Sequence, residues 1–531
     1  MPSSPDLILV NGLVRTMDER GTAQAVAVAG GRVTAVGSTA EIAALRVPQT
    51  EVVDLAGRTL LPGIHDGHIH LADWSLRRAP YSVDLSEAAS LADVRAAVRA
   101  AAARTGAGGW IRGHGWYEGR IAELAGRPPT RHDLDEVSPD HPVVLGHFSE
   151  HGVWANTAAL RRCGIGEDGT GMLLETDADL VLSRMPEPTP AERDAALREA
   201  AGQLNRLGVT SVTDPMVSPE LTGLYLRARN AGSLSVRVNM LLHWTGLARP
   251  NSVEELERAL TYCGVSSGLG DEWLRVAGCK LFADGVPALL TAWTWRPYAD
   301  GCLGGLVVDG DSDEERYDEL ITMIRMLHGR RFQVQVHATG DRACDAAMDG
   351  FAAAQRDDPW PRARHAIIHA NLLSKATAER MAEHGFPVNI NSLIKWTVAD
   401  KLEGLYGDER AGYTMPARTL IDAGVHLADT SDAPVVEPDW RRAVEFLVLR
   451  EARGSGRVSG PDQRIGREEA LRAWTAEAAY QEGTDHLKGT VTPGKLADFA
   501  VLGADPMAVD AHELHALPVE MTFAGGELIH G

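Results

Sequence analysis

The sequence predicts an α/β protein, a (β/α)8 TIM-like barrel with a small composite β-sandwich domain formed by both termini. In the middle of the chain, apolar strand-like runs alternate with helical patterns, which is the rhythm of parallel βα units. Eight such runs close naturally into a barrel. At both ends of the chain, short β-prone runs are separated by Asn-Gly and Gly-Gly pairs, which is typical of a small antiparallel sheet.

The terminal domain is predicted from the similar texture of the two chain ends. Its β-prone runs lie at residues 7–12, 25–28, 33–37, 498–502 and 519–526. Runs of this length, bounded by glycine-containing turns, are typical of strands. We therefore expect both termini to build one composite domain from residues 1–58 and 485–531.

The barrel is assigned to residues 59–484. Its candidate strands are a run ending at residue 70 and runs at 208–214, 236–242, 274–284, 332–337, 366–369, 387–391 and 425–432. Helical patterns such as those at 253–262 and 313–327 separate them. The stretch from about 71 to 200 is too long for one connection. We expect it to be an inserted subdomain that lines the mouth of the barrel and could shape the substrate pocket.

Composition and charge limit the class of protein. With 531 residues and 44% hydrophobic content, the chain is long enough for one large core and a smaller one. A net charge of -21 disfavours nucleic acid and anionic membrane as partners, because both would repel the protein. Five cysteines without a CxxC pair argue against a disulfide framework.

The expected location is the cytoplasm. No apolar run reaches the roughly 18 residues that a membrane span needs, and the first residues do not form a basic region followed by an apolar one. A small-molecule substrate is the expected partner. The oligomeric state is open, with a homodimer as one alternative.

Potential metal ligands follow the predicted strands. His68 and His70 are two residues apart at the end of the first strand, where alternate side chains face the same side. Alone this pair is a weak indication of a metal, because two histidines fall at this spacing by chance. Each of four further strand-like runs, however, ends in one potential ligand: Lys280, His337, His369 and Asp432. Because the chemistry of a parallel barrel lies at the C-terminal strand ends, these residues together predict a metal site.

The ligand types favour two metal ions. Imidazole and carboxylate suit zinc and similar divalent ions, and four histidines with one aspartate exceed what one catalytic zinc usually binds. Two ions are plausible if an anionic group bridges them. Lys280 can be that group only if its amine has added carbon dioxide as a carbamate. Its alternative is an ion pair with Asp284 or another carboxylate, and the alternative for Asp432 is an N-cap before Ala433-Pro434.

Longer motifs surround these residues. They are Pro62-Gly63-Ile64-His65-Asp66-Gly67-His68-Ile69-His70, Trp110-Ile111-Arg112-Gly113-His114-Gly115-Trp116, Lys280-Leu281-Phe282-Ala283-Asp284-Gly285, His337-Ala338-Thr339-Gly340-Asp341-Arg342-Ala343, Ser431-Asp432-Ala433-Pro434 and Pro493-Gly494-Lys495-Leu496-Ala497-Asp498-Phe499. In these motifs, nearly the whole chain resembles the amidohydrolase superfamily, and within it the YtcJ-like branch that includes N-substituted formamide deformylases. The chain departs from the broader superfamily in the three residues directly before the histidine pair. They are His65-Asp66-Gly67 here, where a sequence of the Ile-Asp-Ser type is commoner.

The resemblance implies a binuclear metal centre, with zinc as the expected metal. The first ion would be held by His68, His70 and Asp432. The second would be held by His337 and His369, and carboxylated Lys280 would bridge the two. Asp432 would also be the catalytic base, which accepts the proton of the attacking metal-bound hydroxide and passes it to the departing amine.

Two further residues are expected to contact the substrate. His151, within the segment 149–156, matches a family segment on the insertion. Trp116 falls in an apparent loop, where a tryptophan in a pocket wall would suit an apolar or aromatic substituent. Structural packing explains this tryptophan nearly as well.

The sequence therefore predicts a metal-dependent amidohydrolase that cleaves a non-peptide amide bond, with an N-substituted formamide as the candidate substrate. One alternative is a mononuclear deaminase of an amidine-like substrate. Lys280 argues against it, because a one-metal site needs no bridge. The other alternative is a non-catalytic binding protein on the same barrel, which would have no chemical reason to keep six ligand candidates.

Overall fold

The computed structural model describes residues 4–78, 80–118, 120–124, 127–147, 152–166, 169–244 and 251–531. The chain divides into two compact units. One is formed by Met1–Leu71 with Ala201–Gly531, and the other by Ala72–Ala200.

The first unit contains the eight barrel strands. They are β1 (Ile64–Asp66), β2 (Val209–Val217), β3 (Arg237–Leu242), β4 (Leu274–Phe282), β5 (Gln333–Ala338), β6 (Ala366–His369), β7 (Val388–Ile390) and β8 (Leu427–Asp429). Neighbours pair in parallel, in the order β1 to β8. Beyond the last strand residues, Asp432 N donates to His68 O and His70 N donates to Ala433 O, both at 2.9 Å. The ends of β8 and β1 therefore meet, and the predicted barrel is confirmed.

Helices follow the barrel strands. They are Pro219–Asn230, Val253–Tyr262, Asp313–Gly329, Asp341–Asp357, Lys375–His384, Ser392–Tyr406, Asp408–Tyr413, Ala417–Asp422, Trp440–Leu449, Arg467–Ala473 and Ala476–Gln481, with 3-10 turns at Pro287–Leu289, Pro461–Gln463 and Ala511–Ala516. Four of the helices begin after a serine whose side chain accepts a backbone N–H three residues later: Ser218, Ser252, Ser312 and Ser374. Within the described ranges, no helix is long and apolar enough to cross a membrane.

The histidine pair lies just beyond β1 rather than within it. The apolar run that was predicted to form one strand up to residue 70 is split at Gly63. Thr59–Pro62 belongs to a separate sheet, and only Ile64–Asp66 belongs to the barrel. A Cβ at Gly63 would lie 2.2 Å from Thr210 Oγ1. The chain therefore passes from one sheet to the other through a space that only glycine fits.

Strands from both ends of the chain form two further sheets. The four-stranded sheet contains, in spatial order, Arg32–Gly37, Ala25–Ala29, Leu7–Val10 and Glu51–Asp54, and the six-stranded sheet contains Glu527–His530, Val519–Ala524, Phe499–Leu502, Thr59–Pro62, Leu13–Arg15 and Thr22–Ala23. The short helix Thr39–Ala43 accompanies the first sheet. Leu9 and Val26 from one sheet share a core with Leu60 and Phe499 from the other, so the two sheets pack against each other.

The sequence suggested purely antiparallel sheets. The pairing inside these two sheets is instead mixed. Leu7–Val10 runs parallel to Glu51–Asp54, and Leu13–Arg15 runs parallel to Thr59–Pro62. The remaining pairs are antiparallel. Alternating apolar patterns do not distinguish the two directions, because side chains alternate across the sheet in both.

A buried ion pair joins the terminal sheets to the barrel. The guanidinium of Arg237, at the start of β3, donates from Nε and Nη2 to the two carboxylate oxygens of Asp498 at 2.7 and 2.9 Å. Asp498 Oδ1 also accepts the backbone N–H of Gly525 at 2.8 Å. Both charged side chains are buried, so removal of one would leave the other as an uncompensated buried charge.

The second unit, Ala72–Ala200, has a core of its own. Its sheet contains, in spatial order, Met172–Leu174, Gly152–Ala155, Val143–His147, Ile111–Trp116 and Val83–Asp84. Its helices are Leu91–Ala102, Arg131–Asp135, Thr157–Arg162 and Glu175–Leu182, with a 3-10 turn at Ala122–Leu124. Along the chain, helices Leu71–Leu76 and Pro190–Arg206 lie at its two ends.

Trp116 lies in this core and not in a loop. It ends the strand Ile111–Trp116, is 1% exposed, and donates from Nε1 to Leu145 O at 2.9 Å. Its ring packs edge-on against that of Trp154, with centroids 5.5 Å apart. The prediction that Trp116 falls in a loop is wrong. Glycines at positions 113 and 115 are typical of turns, so the local sequence does not indicate the strand.

Candidate metal centre

The first group of predicted ligands converges where β1 and β8 end. His70 Nε2 lies 3.3 Å from Asp432 Oδ1, and His68 Nε2 lies 3.6 Å from the same oxygen. One ligand atom from each of the three residues lies within 4.8 Å of the others. Two nitrogens and one oxygen at such distances can coordinate one divalent ion.

Asp66 holds these two chain segments together. Its buried carboxylate accepts from Ser431 Oγ at 2.6 Å, Ser431 N at 3.2 Å and His68 N at 3.4 Å, and the Thr430 hydroxyl lies against it as well. The same hydroxyl is 2.7 Å from His68 O. One carboxylate therefore fixes both His68 and the residue before Asp432.

The second group lies beside the first. The rings of His337 and His369 have centroids 4.3 Å apart, and that of His369 is 5.4 Å from the ring of His68. His337 Nε2 donates to Gly285 O at 3.1 Å, and His369 Nδ1 donates to Asn391 Oδ1 at 2.5 Å. Because carbonyl oxygens only accept hydrogen bonds, His337 Nδ1 and His369 Nε2 keep the lone pairs that could bind a metal.

Lys280 lies between the two groups. It is 1% exposed, and its Nζ lies 3.4 Å from His68 Nε2. Burial lowers the pKa of Lys280 to about 7, although the negative charge of Asp432 acts in the opposite direction. Near neutral pH a large fraction of this amine is therefore uncharged.

Asp284 does not pair with Lys280. Its carboxylate accepts the backbone N–H groups of Trp293, Thr339 and Gly340 at 2.8 to 2.9 Å. Burial raises the pKa of Asp284 to about 7, against the opposite effect of these hydrogen bonds. Its role is to fix the loop after β5, which leaves the lysine available for another function.

The local electrostatics keep three of the four imidazoles neutral. Burial lowers the pKa of His337 to about 3 and that of His68 and His369 well below the usual value, and the positive charge of Lys280 adds to the effect. For His70, burial also acts to lower the pKa, but the hydrogen bond and charge of Asp432 outweigh it and raise the pKa. Neutral imidazoles are the form that binds metals.

Two of the ligand candidates have an unusual backbone. His369 has φ 76° and Asp432 has φ 59°, both in the left-handed region that residues with a Cβ rarely adopt. Such conformations cost of order 1 kcal/mol or more each, and residues away from the centre, such as Met17 and Arg450, adopt them as well. The backbone of Asp432 is held by the hydrogen bond from its N–H to His68 O at 2.9 Å.

The structure thus brings together all six residues that were predicted as metal ligands, and their donor types fit divalent ions such as zinc. Trp116 lies in the core of the second unit, and its contact with substrate stays a prediction. His151 lies outside the described residues. Sequence reasoning missed Asp66 and Asn391. Asp66 ends β1 and Asn391 directly follows β7, so a position at a strand end, which identified the ligands, could have identified them as well.

Comparisons with known proteins identify the family of the chain. A family model described as the amidohydrolase family matches residues 51–530. N-substituted formamide deformylase of Arthrobacter pascens is 30% identical over 99% of both chains, and the putative amidohydrolase YtcJ of Bacillus subtilis is 28% identical over 98% of both. The structure of an uncharacterized metal-dependent hydrolase from Pyrococcus furiosus superposes with a TM-score of 0.76 at 24% identity, covering 94% of this chain and 99% of that one. The chain therefore belongs to the amidohydrolase family.

Proposed function

We propose that this protein hydrolyses N-substituted formamides at a centre of two divalent metal ions. The observation that carries the proposal is the convergence of four imidazoles, one carboxylate and a buried lysine at the C-terminal ends of the barrel strands. The substrate class is suggested by the relative from Arthrobacter pascens, which is named a formamide deformylase.

His68, His70 and Asp432 would hold one ion, and His337 and His369 the other. The donor atoms would be His68 Nε2 and His70 Nε2, which face Asp432, and the lone-pair nitrogens of the other two histidines. We expect zinc, because imidazole nitrogen and carboxylate oxygen are ligands that zinc prefers.

Lys280 would bridge the ions as a carbamate. A large fraction of its buried amine is uncharged near pH 7, and in that form Nζ has a lone pair that can attack carbon dioxide. The new N–C bond forms with loss of one proton from nitrogen, which converts a neutral amine into an anionic carboxylate. This added negative charge would balance a site in which Asp432 is the only carboxylate among the six.

Asp432 would move the proton. Bound divalent ions would lower the pKa of a water molecule and polarise the substrate carbonyl. The carboxylate of Asp432 would accept a proton of this water as the water oxygen bonds to the carbonyl carbon. It would then donate the proton to the amine nitrogen as the C–N bond breaks, which gives formic acid and a free amine, and the acid then loses its proton to become formate.

The test combines metal analysis with a substrate screen. Protein purified without chelator should contain about two divalent ions per chain, and N-substituted formamides should yield formate and amine in equal amounts. Lys280→Ala should lose at least one ion, and a carbamate carbon signal after exchange with ¹³C-bicarbonate should appear only in the wild type. Asp432→Asn should keep the second ion and lose turnover by ~10²-fold or more.

Other outcomes would redirect the proposal. One ion per chain, unchanged in Lys280→Ala, would exclude the bridge and favour a mononuclear deaminase, to be tested by ammonia release. Two ions with no turnover of any formamide would leave the metal centre in place and exclude the substrate class.

A further inference from the structure

Asn391 makes a hydrogen bond that its position in the fold does not require. It directly follows β7, is fully buried, and its Oδ1 lies 2.5 Å from His369 Nδ1. Asn389, two residues earlier on the same strand, faces the barrel interior, where its Nδ2 donates to Gln481 Oε1. Alternate strand residues face the same side, so Asn391 projects into the barrel interior at the end where the ligands converge.

The helix that follows does not use this side chain. Asn391 occupies the N-cap position of helix Ser392–Tyr406, where asparagine usually accepts a backbone N–H of the first turn. Here the side chain makes no capping hydrogen bond. Instead, Ser392 N donates to Asp429 Oδ1 at 2.9 Å, and the Ser392 hydroxyl also bonds to Asp429. Because Asp429 supports the start of the helix, the amide of Asn391 is left to serve His369.

The amide orientation decides which ring nitrogen of His369 carries the proton. With Oδ1 as acceptor, Nδ1 is protonated and Nε2 has a free lone pair. If the amide were reversed, its NH2 group would donate to Nδ1, and the proton would move to Nε2, which could then bind no metal. Among the described residues, Nδ2 has no hydrogen-bond partner, so His369 is the group that this side chain serves.

We propose that Asn391 is a positioning residue that fixes the metal-binding tautomer of His369, and thereby the affinity of the second ion. This rests on the proposed two-ion centre. The oxygen that accepts from His369, Asn391 Oδ1, carries no net charge. The Gly285 carbonyl that orients His337 is likewise neutral. A neutral partner makes an imidazole a weaker electron donor than a carboxylate partner does, so the ion remains a stronger Lewis acid.

The experiment compares three variants by metal titration of the apo-protein, using Zn²⁺ as the probe. In Asn391→Ala, the affinity for one of the two ions should fall 10- to 100-fold, while the other ion is bound as in the wild type. Asn391→Asp keeps an acceptor for His369 Nδ1 and should restore the affinity. Asn389→Ala is the matched control, because it removes the same buried amide from the same face of the same strand without touching His369. It should bind both ions normally.

A second readout distinguishes positioning from simple packing. In Asn391→Asp, the carboxylate should make the second ion a weaker Lewis acid, so the acidic limb of the kcat/KM profile should shift to higher pH. Wild-type affinity for both ions in Asn391→Ala, or equal losses in Asn391→Ala and Asn389→Ala, would overturn the proposal. If the wild type cleaves no formamide and Asn391→Ala still loses one ion, the proposed substrate fails and the role of Asn391 stands.

Discussion

Asp66→Ala should destabilise the barrel and release the first metal ion, whereas Asp66→Asn should do neither. Asp66 connects the end of β1 to the end of β8 through four donors, which are the backbone N–H groups of His68 and Ser431 and the hydroxyls of Thr430 and Ser431. Without this carboxylate, nothing else in the described part of the chain accepts these two N–H groups. The relative position of His68 and Asp432 depends on that connection.

The size of the effect follows from the number of donors left without an acceptor. In Asp66→Ala two buried N–H groups lose their acceptor, at ~1–3 kcal/mol each, which gives ~2–6 kcal/mol in total. In Asp66→Asn the amide oxygen can take the place of Oδ1, which accepts both N–H groups, and the Ser431 hydroxyl can turn to accept from the new NH2 group. Burial raises the pKa of Asp66 to about 6, although its hydrogen bonds oppose the shift, so loss of the charge also removes a burial cost. We expect a net change within ~1 kcal/mol.

The assay is urea unfolding of both variants, with and without metal, together with elemental analysis. Asp66→Ala should show a lower midpoint and about one ion per chain, and Asp66→Asn should match the wild type in both. Full metal content in Asp66→Ala would refute the reasoning that Asp66 positions the ligands. Loss of metal in Asp66→Asn alone would show that the charge, and not the hydrogen bonds, is what the centre needs.

Three further changes test other parts of the structure. Arg237→Met leaves Asp498 buried without its partner and should destabilise the protein by ~3–5 kcal/mol in urea unfolding; adding Asp498→Asn should recover part of this, and no recovery would contradict the explanation. Burial lowers the pKa of Lys488 to about 7, and the charge of Arg237 adds to the shift. Between about pH 7 and pH 10 the unfolded chain therefore binds more protons at this lysine than the folded chain does, and the stability of the folded state rises with pH. Thermal unfolding of Lys488→Met should therefore show a stability advantage that is largest at pH 7 and below and shrinks toward pH 10; a constant difference would contradict the assigned pKa. Trp116→Phe removes the donor to Leu145 O and should cost ~1–3 kcal/mol, seen as faster proteolysis within Ala72–Ala200, and an unchanged digestion rate would count against this core contact.

The barrel could be predicted from the sequence because each strand is a short apolar run followed by a helical pattern. The one misplaced strand shows the limit of this reasoning. The largely apolar run from residue 59 to residue 64 includes Thr59–Pro62 and the first residue of Ile64–Asp66, yet these two strands belong to different sheets. An apolar run indicates that a segment is buried, but it does not indicate which sheet the segment joins. The close approach of Gly63 to Thr210 is a tertiary contact, which the local sequence does not reveal.

The metal centre was predictable to a similar degree. The ligands could be found because each lies at or near the C-terminal end of a strand-like run, and parallel strand ends meet in a barrel. The residues that hold the ligands could not be found in this way. Asp66 bonds to Ser431, 365 residues away, and Asn391 was expected to be only the last residue of a strand. Such partners depend on the register between distant strands, which periodicity does not determine.

The position of Thr59–Pro62 in the six-stranded sheet has a consequence for synthesis of the chain. One edge of this strand pairs with Leu13–Arg15, but its other edge waits for Phe499–Leu502, which leaves the ribosome roughly 440 residues later. At ~5–20 residues per second, that edge stays open for roughly 20 to 90 seconds. A nascent or truncated chain therefore presents an unpaired apolar strand to its neighbours. We expect products that end before residue 499 to aggregate or to require a chaperone, even when every residue of the metal centre has already been made.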